Sequence, residues 1–465
     1  MYCMLKLPRV SKVKEDLVVK GLLVKITATL VATALFFSSI TPIAFAEKSN
    51  SDILGLKAAS AIMVDADSGR IIYGKNIDKV LPIASMTKMM SEYLVHEAVE
   101  EGKIDWTQKV TVTEYPHKIS QNTSLSNVPL ELGGQYTVKE LYEAMAIYSA
   151  NGATIALAEL IAGSESNFVK LMNEKGKELK LGEFKFVNSS GLHNSDLLGK
   201  HPQGTDKDDE NMMSARATAT LAYHLLKDYP EILETAKIPK KTFQEGGKYP
   251  IKMDNWNWML PGLVFEYEGV DGLKTGSTPT AGYSFTATAK RDDMRVITVV
   301  MKTSSYNQRF EETKKLLDYG FSNFEIKELY PKGASIKEKK SVKVSKGKEK
   351  EVQLVTSDAV KQIVRRSEEE KFKFKIAYNK KVVNDKNELL APTKKGEKVA
   401  TVEAQYTGKD SLGYLNKQIQ KENAVKLVTK TKVEKANWFV LTGRAIGDFF
   451  GDVWNKTTDT IKGWF

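Results

Sequence analysis

The stretch "IASMTKMM", Ile83 to Met90, sets a serine, Ser85, three residues before a lysine, Lys88. Both residue types are common, so S-x-x-K recurs by accident roughly twice in a chain of this length. It does: Ser11 with Lys14 falls in a basic leader, and Ser345 with Lys348 in a lysine-rich run. The local setting separates the three. After Pro82 the apolar period is helical, through Met86, Met89, Met90, Tyr93, Leu94 and Ala98, with a stop near Gly102. Ser85 is therefore expected at a helix start, and Lys88, one turn on, shares its face. A serine hydroxyl is almost wholly protonated at neutral pH and needs a base before it attacks a carbonyl. A neutral amine in hydrogen-bond reach would serve, provided burial or a neighbouring cation keeps it uncharged.

Two further motifs follow in order. "YSANGAT" puts Ser149, Ala150 and Asn151 in a turn between helical stretches, where a hydroxyl and an amide can reach the same cleft. The sole K-T-G, Lys274 to Gly276, falls on an expected strand along the edge of the site. There Lys274 would supply positive charge, and Gly276 would let a substrate backbone approach. Each triplet alone is weak. In this order, each in its local context, they form the signature of penicillin-recognising serine enzymes.

The sequence thus resembles the low-molecular-weight penicillin-binding proteins that are D-alanyl-D-alanine carboxypeptidases, of the penicillin-binding protein 5 type. "DGLKTGSTPTAGYSF" carries part of the likeness, which extends over nearly all of the chain after residue 46. The resemblance implies removal of the terminal D-alanine from peptidoglycan stem pentapeptides through an acyl-enzyme, with β-lactams acylating the same serine. It assigns Ser85 as nucleophile, Lys88 as its base, and Ser149 and Asn151 as the second motif. Lys274, Thr275 and Gly276 become the third, with backbone N–H groups of Ser85 and Ser277 as the oxyanion hole. Some relatives carry histidine in place of Ser277, so only its backbone role is carried over. Arg309, in "SSYNQRFEE", takes the place of the arginine that holds the substrate's terminal carboxylate, a task suited to a bidentate guanidinium. The loop after Asn188 yields no site residue. A class A β-lactamase would need E-x-x-L-N between Asn151 and Lys274, and none occurs. An inactive wall-binding scaffold would not require the four polar groups together.

Composition bounds the setting. With 465 residues, 42% of them hydrophobic, the chain can bury a large core in two or three domains. Basic residues from Lys6 to Lys25 precede "ITATLVATALFFSSI", then Pro42 and "AFA", so residues 1–46 read as a signal peptide cleaved after Ala46. The only cysteine, Cys3, leaves with it. Its removal takes out six basic and two acidic groups, and the formal charge falls from +11 to +7. An exported basic surface meets anionic lipid and cell-wall polymer, and no nucleic-acid motif appears. His96, His117, His193, His201 and His224 show no metal spacing, so neither metal nor cofactor is expected.

The expected fold class is mixed α/β: a penicillin-binding, β-lactamase-like domain with an antiparallel sheet and flanking helices, over residues 47–328. "AASAIMVDADSGRIIYGKN" reads as a hairpin about Asp67 to Gly69. Residues 138–162 and 207–236 read as helical, and "VNSSGLHNSDLLGKHPQGTDKDDENM" as a long surface loop. From Gly269 the pattern is strand, hairpin, strand, then a helix from about Gln308 to Tyr319. A β-rich domain is expected over 329–430, where "KFKFKIAY" puts Phe372, Phe374 and Ile376 on one face and lysines on the other. Residues 436–465 form an amphipathic helix with Ile446, Phe450, Val453, Ile461 and Trp464 on its apolar face. It carries too many charges to span a bilayer, and Gly443, Gly447 and Gly451 weaken it in water. It is expected to order on a partner or in a lipid interface, at the outer face of the cytoplasmic membrane.

Overall fold

Five strands of small and branched residues build the central sheet: β1 (Ser60–Asp65), β2 (Ile71–Lys75), β3 (Val270–Thr278), β4 (Gly282–Arg291) and β5 (Met294–Thr303). Their order is β3-β4-β5-β1-β2, with every pair antiparallel. The computed structural model describes residues 52–408 and 410–462, so the expected signal peptide and Trp464 lie outside the described residues. From Leu54 onward the chain forms one unit.

The longer helices of this domain are α1 (Lys88–Glu100), α2 (Val138–Tyr148), α3 (Asn151–Ala162), α4 (Glu165–Glu178), α5 (Ala215–Asp228) and α6 (Tyr306–Asn323). Successive strand residues point to opposite faces. Ile62 and Val64 of β1 accordingly join a core with Met89 and Met90 of α1 and Leu221 and Leu225 of α5. Ala61 and Met63 join a second core with Phe310, Leu316 and Leu317 of α6. Helices cover both faces, which is why β1 is buried along its whole length. A third core, from α2, α3 and the end of α1, makes a helical lobe beside the sheet.

One reading, the turn at Ser149 to Asn151, holds, and three change in detail. The 138–162 segment is two helices. A capping box between Thr137 and Glu140 starts α2, and left-handed Ser149 (φ +61°) ends it before α3 begins at Asn151. The 207–236 segment becomes helical only at Ala215, capped by Ser214, because Met212–Ser214 pair as a strand with Val80–Pro82. It breaks again at Tyr229, which Pro230 holds away from helical geometry. The last helix of this domain runs longer than expected, Tyr306–Asn323.

The last change is the largest. The "surface loop" is buried over Asn188–Ser190 and at Asn194 and Asn211. Its polar groups satisfy one another: the Asn188 amide donates to Leu192 O (2.7 Å) and Asn194 Oδ1 (3.0 Å), and Asn211 Oδ1 accepts from Val187 N (2.6 Å). Internal pairing removes the cost that would otherwise keep such residues in water.

Strands β6 (Phe324–Tyr330), β7 (Ser341–Ser345), β8 (Glu351–Thr356), β9 (Val360–Arg365), β10 (Phe372–Tyr378), β11 (Leu389–Leu390), β12 (Lys398–Tyr406) and β13 (Val425–Thr429) build the second domain. Six form one sheet, β10-β12-β13-β8-β7-β11, and β6 pairs with β9. In β10 the lysines face solvent and Phe372 enters the core. Helix α7 (Lys417–Glu422) sends Ile419 into the first domain's core. A final helix, α8 (Trp438–Lys462), leaves Trp438, Phe439, Phe449 and Phe450 exposed. Among the described residues, no helix is long and apolar enough to cross a membrane.

Candidate active site

A 3-10 turn, Ala84–Thr87, carries Ser85, and α1 starts at Lys88 directly after it. Two close approaches fix this turn. β3 crosses it at Gly276, where a Cβ would sit 2.5 Å from Ile83 O. Gly276 thus admits the backbone of the nucleophile turn, a tighter demand than the expected approach of substrate. From the other side Gly191 (φ +85°) packs so closely that a Cβ would fall 1.9 Å from Ala84 O. Only glycine fits either place.

Lys88 Nζ lies 3.1 Å from Ser85 Oγ, 2.7 Å from Asn151 Oδ1 and 2.6 Å from Ser190 O. The Asn151 amide is oriented by its Nδ2, which donates to Ser126 O at 3.0 Å. Lys88 is wholly buried. Burial, reinforced by the nearby charge of Lys274, holds its ammonium form well below the ordinary lysine range. A neutral amine has two N–H bonds and one lone pair. Asn151 Oδ1 and Ser190 O can only accept, so they take the two N–H bonds and leave the lone pair for the Ser85 hydroxyl. This arrangement can deprotonate a serine.

Lys274, on β3, donates to Ser149 Oγ at 2.9 Å, so the left-handed residue closing α2 is tied to the sheet. Burial brings Lys274 down to about 8, opposed by Glu92 and assisted by Arg309. β3 is an edge strand, with β4 on one side and its other edge toward the cleft. That cleft, about 540 Å³, is lined by Ser85, Ser149, Asn151, Thr275, Gly276, Ser277 and Arg309. The structure therefore brings seven of the nine expected residues to one cavity, with Lys88 and Lys274 hydrogen-bonded behind its wall.

Arg309, in the first turn of α6, is buried against Tyr306 and Phe310, 5.0 and 4.7 Å from their ring centres. Its Nε and Nη2 find no hydrogen-bond partner among the described residues. Those two atoms are buried, while the guanidinium as a whole lines the cleft and can offer a charge-assisted bond to a carboxylate there.

Sequence reasoning missed the carbonyl of Ser190, Glu92 and the aromatic wall. Trp256 stacks between Tyr148 (6.2 Å) and Tyr306 (6.3 Å), with its indole N–H on Ser126 Oγ at 3.0 Å. "NWNWML", with two tryptophans in a polar setting, was the available signal for it.

Residues 46–305 match the D-alanyl-D-alanine carboxypeptidase family, and residues 324–435 match the C-terminal domain of penicillin-binding protein 5. The chain belongs to the D-alanyl-D-alanine carboxypeptidase family. It is 32% identical over 413 residues to D-alanyl-D-alanine carboxypeptidase DacF of Bacillus subtilis, covering 88% of this chain and 95% of that protein. It is 33% identical over 428 residues to carboxypeptidase DacA of Haemophilus influenzae, covering 88% and 91%. Among solved structures it is similar to a peptidoglycan synthesis regulatory factor, PBP3, of Streptococcus pneumoniae. That likeness has TM-score 0.68 and 34% identity, covering 81% of this chain and 99% of that one. Penicillin-binding protein 5 of Haemophilus influenzae superposes with TM-score 0.64 at 30% identity, covering 82% and 98%. The chain is accordingly a serine-type carboxypeptidase with the β domain of its family.

Proposed function

We propose that this enzyme removes the last D-alanine from peptidoglycan stem pentapeptides, with Ser85 as nucleophile and Lys88 as its base. The supporting observation is the Lys88 amine, 3.1 Å from Ser85 Oγ, with two acceptors placed for its N–H bonds. Ser85 Oγ attacks the carbonyl of the penultimate D-alanine while its proton passes to Lys88. The oxyanion forms against the backbone N–H groups of Ser85 and Ser277. Collapse of the intermediate breaks the peptide bond, the leaving amine takes the proton, and D-alanine departs. Water, deprotonated in its turn, releases the shortened peptide and restores the serine.

Lys274 contributes positive charge across the pocket, Thr275 belongs to the strand edge along which the peptide lies, and Asn151 with Ser149 holds the two lysines in place. The Arg309 guanidinium, which lines the cleft, receives the terminal carboxylate. A β-lactam places its strained amide on the same serine and remains there as an ester.

The exposed aromatic residues of α8 suit an interface between water and anionic lipid, which would hold the enzyme at the outer face of the cytoplasmic membrane. The β domain then acts as the stalk that sets the cleft near the wall. The test is D-alanine release from a peptide ending in two D-alanines, with and without penicillin. Release that penicillin abolishes, and that is absent in Ser85→Ala, is expected. Release unaffected by penicillin, or retained in Ser85→Ala, would overturn the assignment.

A further inference from the structure

Glu92 lies one turn beyond Lys88 on α1 and is buried, as are Lys88 and Lys274. Three ionisable groups thus share a region closed to water, and no step described above uses the carboxylate. Two buried ammonium groups would repel each other and leave a net charge in a medium that tolerates none. One ammonium, one carboxylate and one neutral amine balance.

Burial beside Lys274 disfavours the ammonium form of Lys88, and its hydrogen bonds accommodate the neutral amine. Lys88 has two obligate acceptors and a hydroxyl, Asn151 Oδ1, Ser190 O and Ser85 Oγ, a set that a neutral amine satisfies completely. We infer that Glu92 is a positioning residue of the proton-transfer site: its carboxylate holds the counter-charge that keeps Lys274 cationic while Lys88 stays neutral.

The charges around Glu92 agree. Apart from burial, Lys274 of β3 acts on it most strongly, ahead of Lys88 of its own helix. For Lys274 the leading influence after burial is in turn Glu92, which favours the charged form, while Arg309 of α6 disfavours it. From α2 comes the Tyr142 hydroxyl, which has no hydrogen-bond partner among the described residues and on which Glu92 is the leading charge. Glu165 of α4 acts on Lys88 in the same sense as Glu92. Burial brings Glu92 itself up to about 7, just below Lys274 at about 8, so the pair is poised near neutrality.

The sign of its removal follows. A carboxylate raises the proton affinity of both lysines, so without it both lose their protons at lower pH. The inference rests on the reading of Lys88 and Lys274 given above, and its test separates the two. The rate of Ser85 acylation by benzylpenicillin is measured against pH in the wild type, Glu92→Gln and Glu92→Asp, with thermal melting as the check on folding. In Glu92→Gln both limbs of the profile should move to lower pH by about one unit, with a loss of about ten-fold on the alkaline side. Glu92→Asp, which keeps the charge one methylene farther away, should shift less in the same direction, and carries the test alone if the glutamine variant does not fold. A variant whose rate falls with both limbs unmoved would overturn the role of Glu92 and leave only a packing role. A wild type that takes no label would remove both readings, whereas labelled wild type with an unmoved variant removes this one alone.

Discussion

Gly191 shows how much of the site rests on one residue without chemistry of its own. Its φ of +85° and its approach to Ala84 O leave no place for a methyl group. Gly191→Ala should therefore push the 188–192 segment off the nucleophile turn, taking the Ser190 carbonyl from Lys88. A loss of about 1–3 kcal/mol in urea unfolding is expected from the backbone strain alone, with penicillin labelling lost more steeply than stability. Equal stability and labelling in the variant would mean the turn adapts. In the sequence this glycine stood in a polar run like any loop glycine. What made it decisive, the carbonyl of Ala84 arriving from a distant segment, leaves no local mark. Ser85 and Lys88 were legible because both lie on one turn, and Lys274 because K-T-G sat in an alternating strand.

At the scale of elements, the sheet and α1 could be read because burial imposes periods of two and of 3.6 on their apolar residues. The segment from Asn188 to Asn211 could be read only in part. Its ends, Asn188–Ser190 with Asn194 and Asn211, are buried by pairing their own amides and hydroxyls, where polarity misleads, while 198–201 and 203–210 stay at the surface as read. The 207–236 helix was overextended for a related reason, since capping by Ser214 and the break at Pro230 act inside a pattern that stays apolar on one face. Helix α6 has a separate part to play, because its first turn presents Arg309 to the cleft. Arg309→Ala removes a charge-assisted bond to a peptide carboxylate. D-alanine release should fall by about 100-fold and penicillin labelling by clearly less, measured on one preparation. Equal losses would argue that the arginine serves the fold instead.

Across the whole molecule the two domains are joined by more than a linker. Leu415 and Ile419 of the β domain belong to the first domain's core. Leu415 N donates to Gly69 O at 2.9 Å, and Lys227 meets Glu422 at 2.8 Å. Such a junction ties the β domain directly to the core of the first. Ile419→Ala should cost about 2–5 kcal/mol and melt both domains in one transition, whereas separate transitions in the wild type would show independent units. The tail behaves differently. Arg444 donates to the carbonyls of Gly347 and Lys348, while Trp438, Phe439, Phe449 and Phe450 of α8 are exposed. Deleting residues 436–465 should release an active enzyme that no longer sediments with anionic vesicles, and sedimentation that persists would count against the helix as anchor. The domain texture was visible in the sequence as a shift toward lysine and glutamate. The junction was not, because Leu415 and Ile419 read as ordinary apolar residues of the β domain.

The proton's path from Ser85 to Lys88 is the point on which the chemistry turns. Intact-protein mass measured after brief exposure to benzylpenicillin, in the wild type and in a folded Lys88→Met side by side, tests it most directly. One penicilloyl adduct on Ser85 in the wild type and none in Lys88→Met is the expected result. An adduct at the wild-type rate in Lys88→Met, or on any residue other than Ser85, would contradict it.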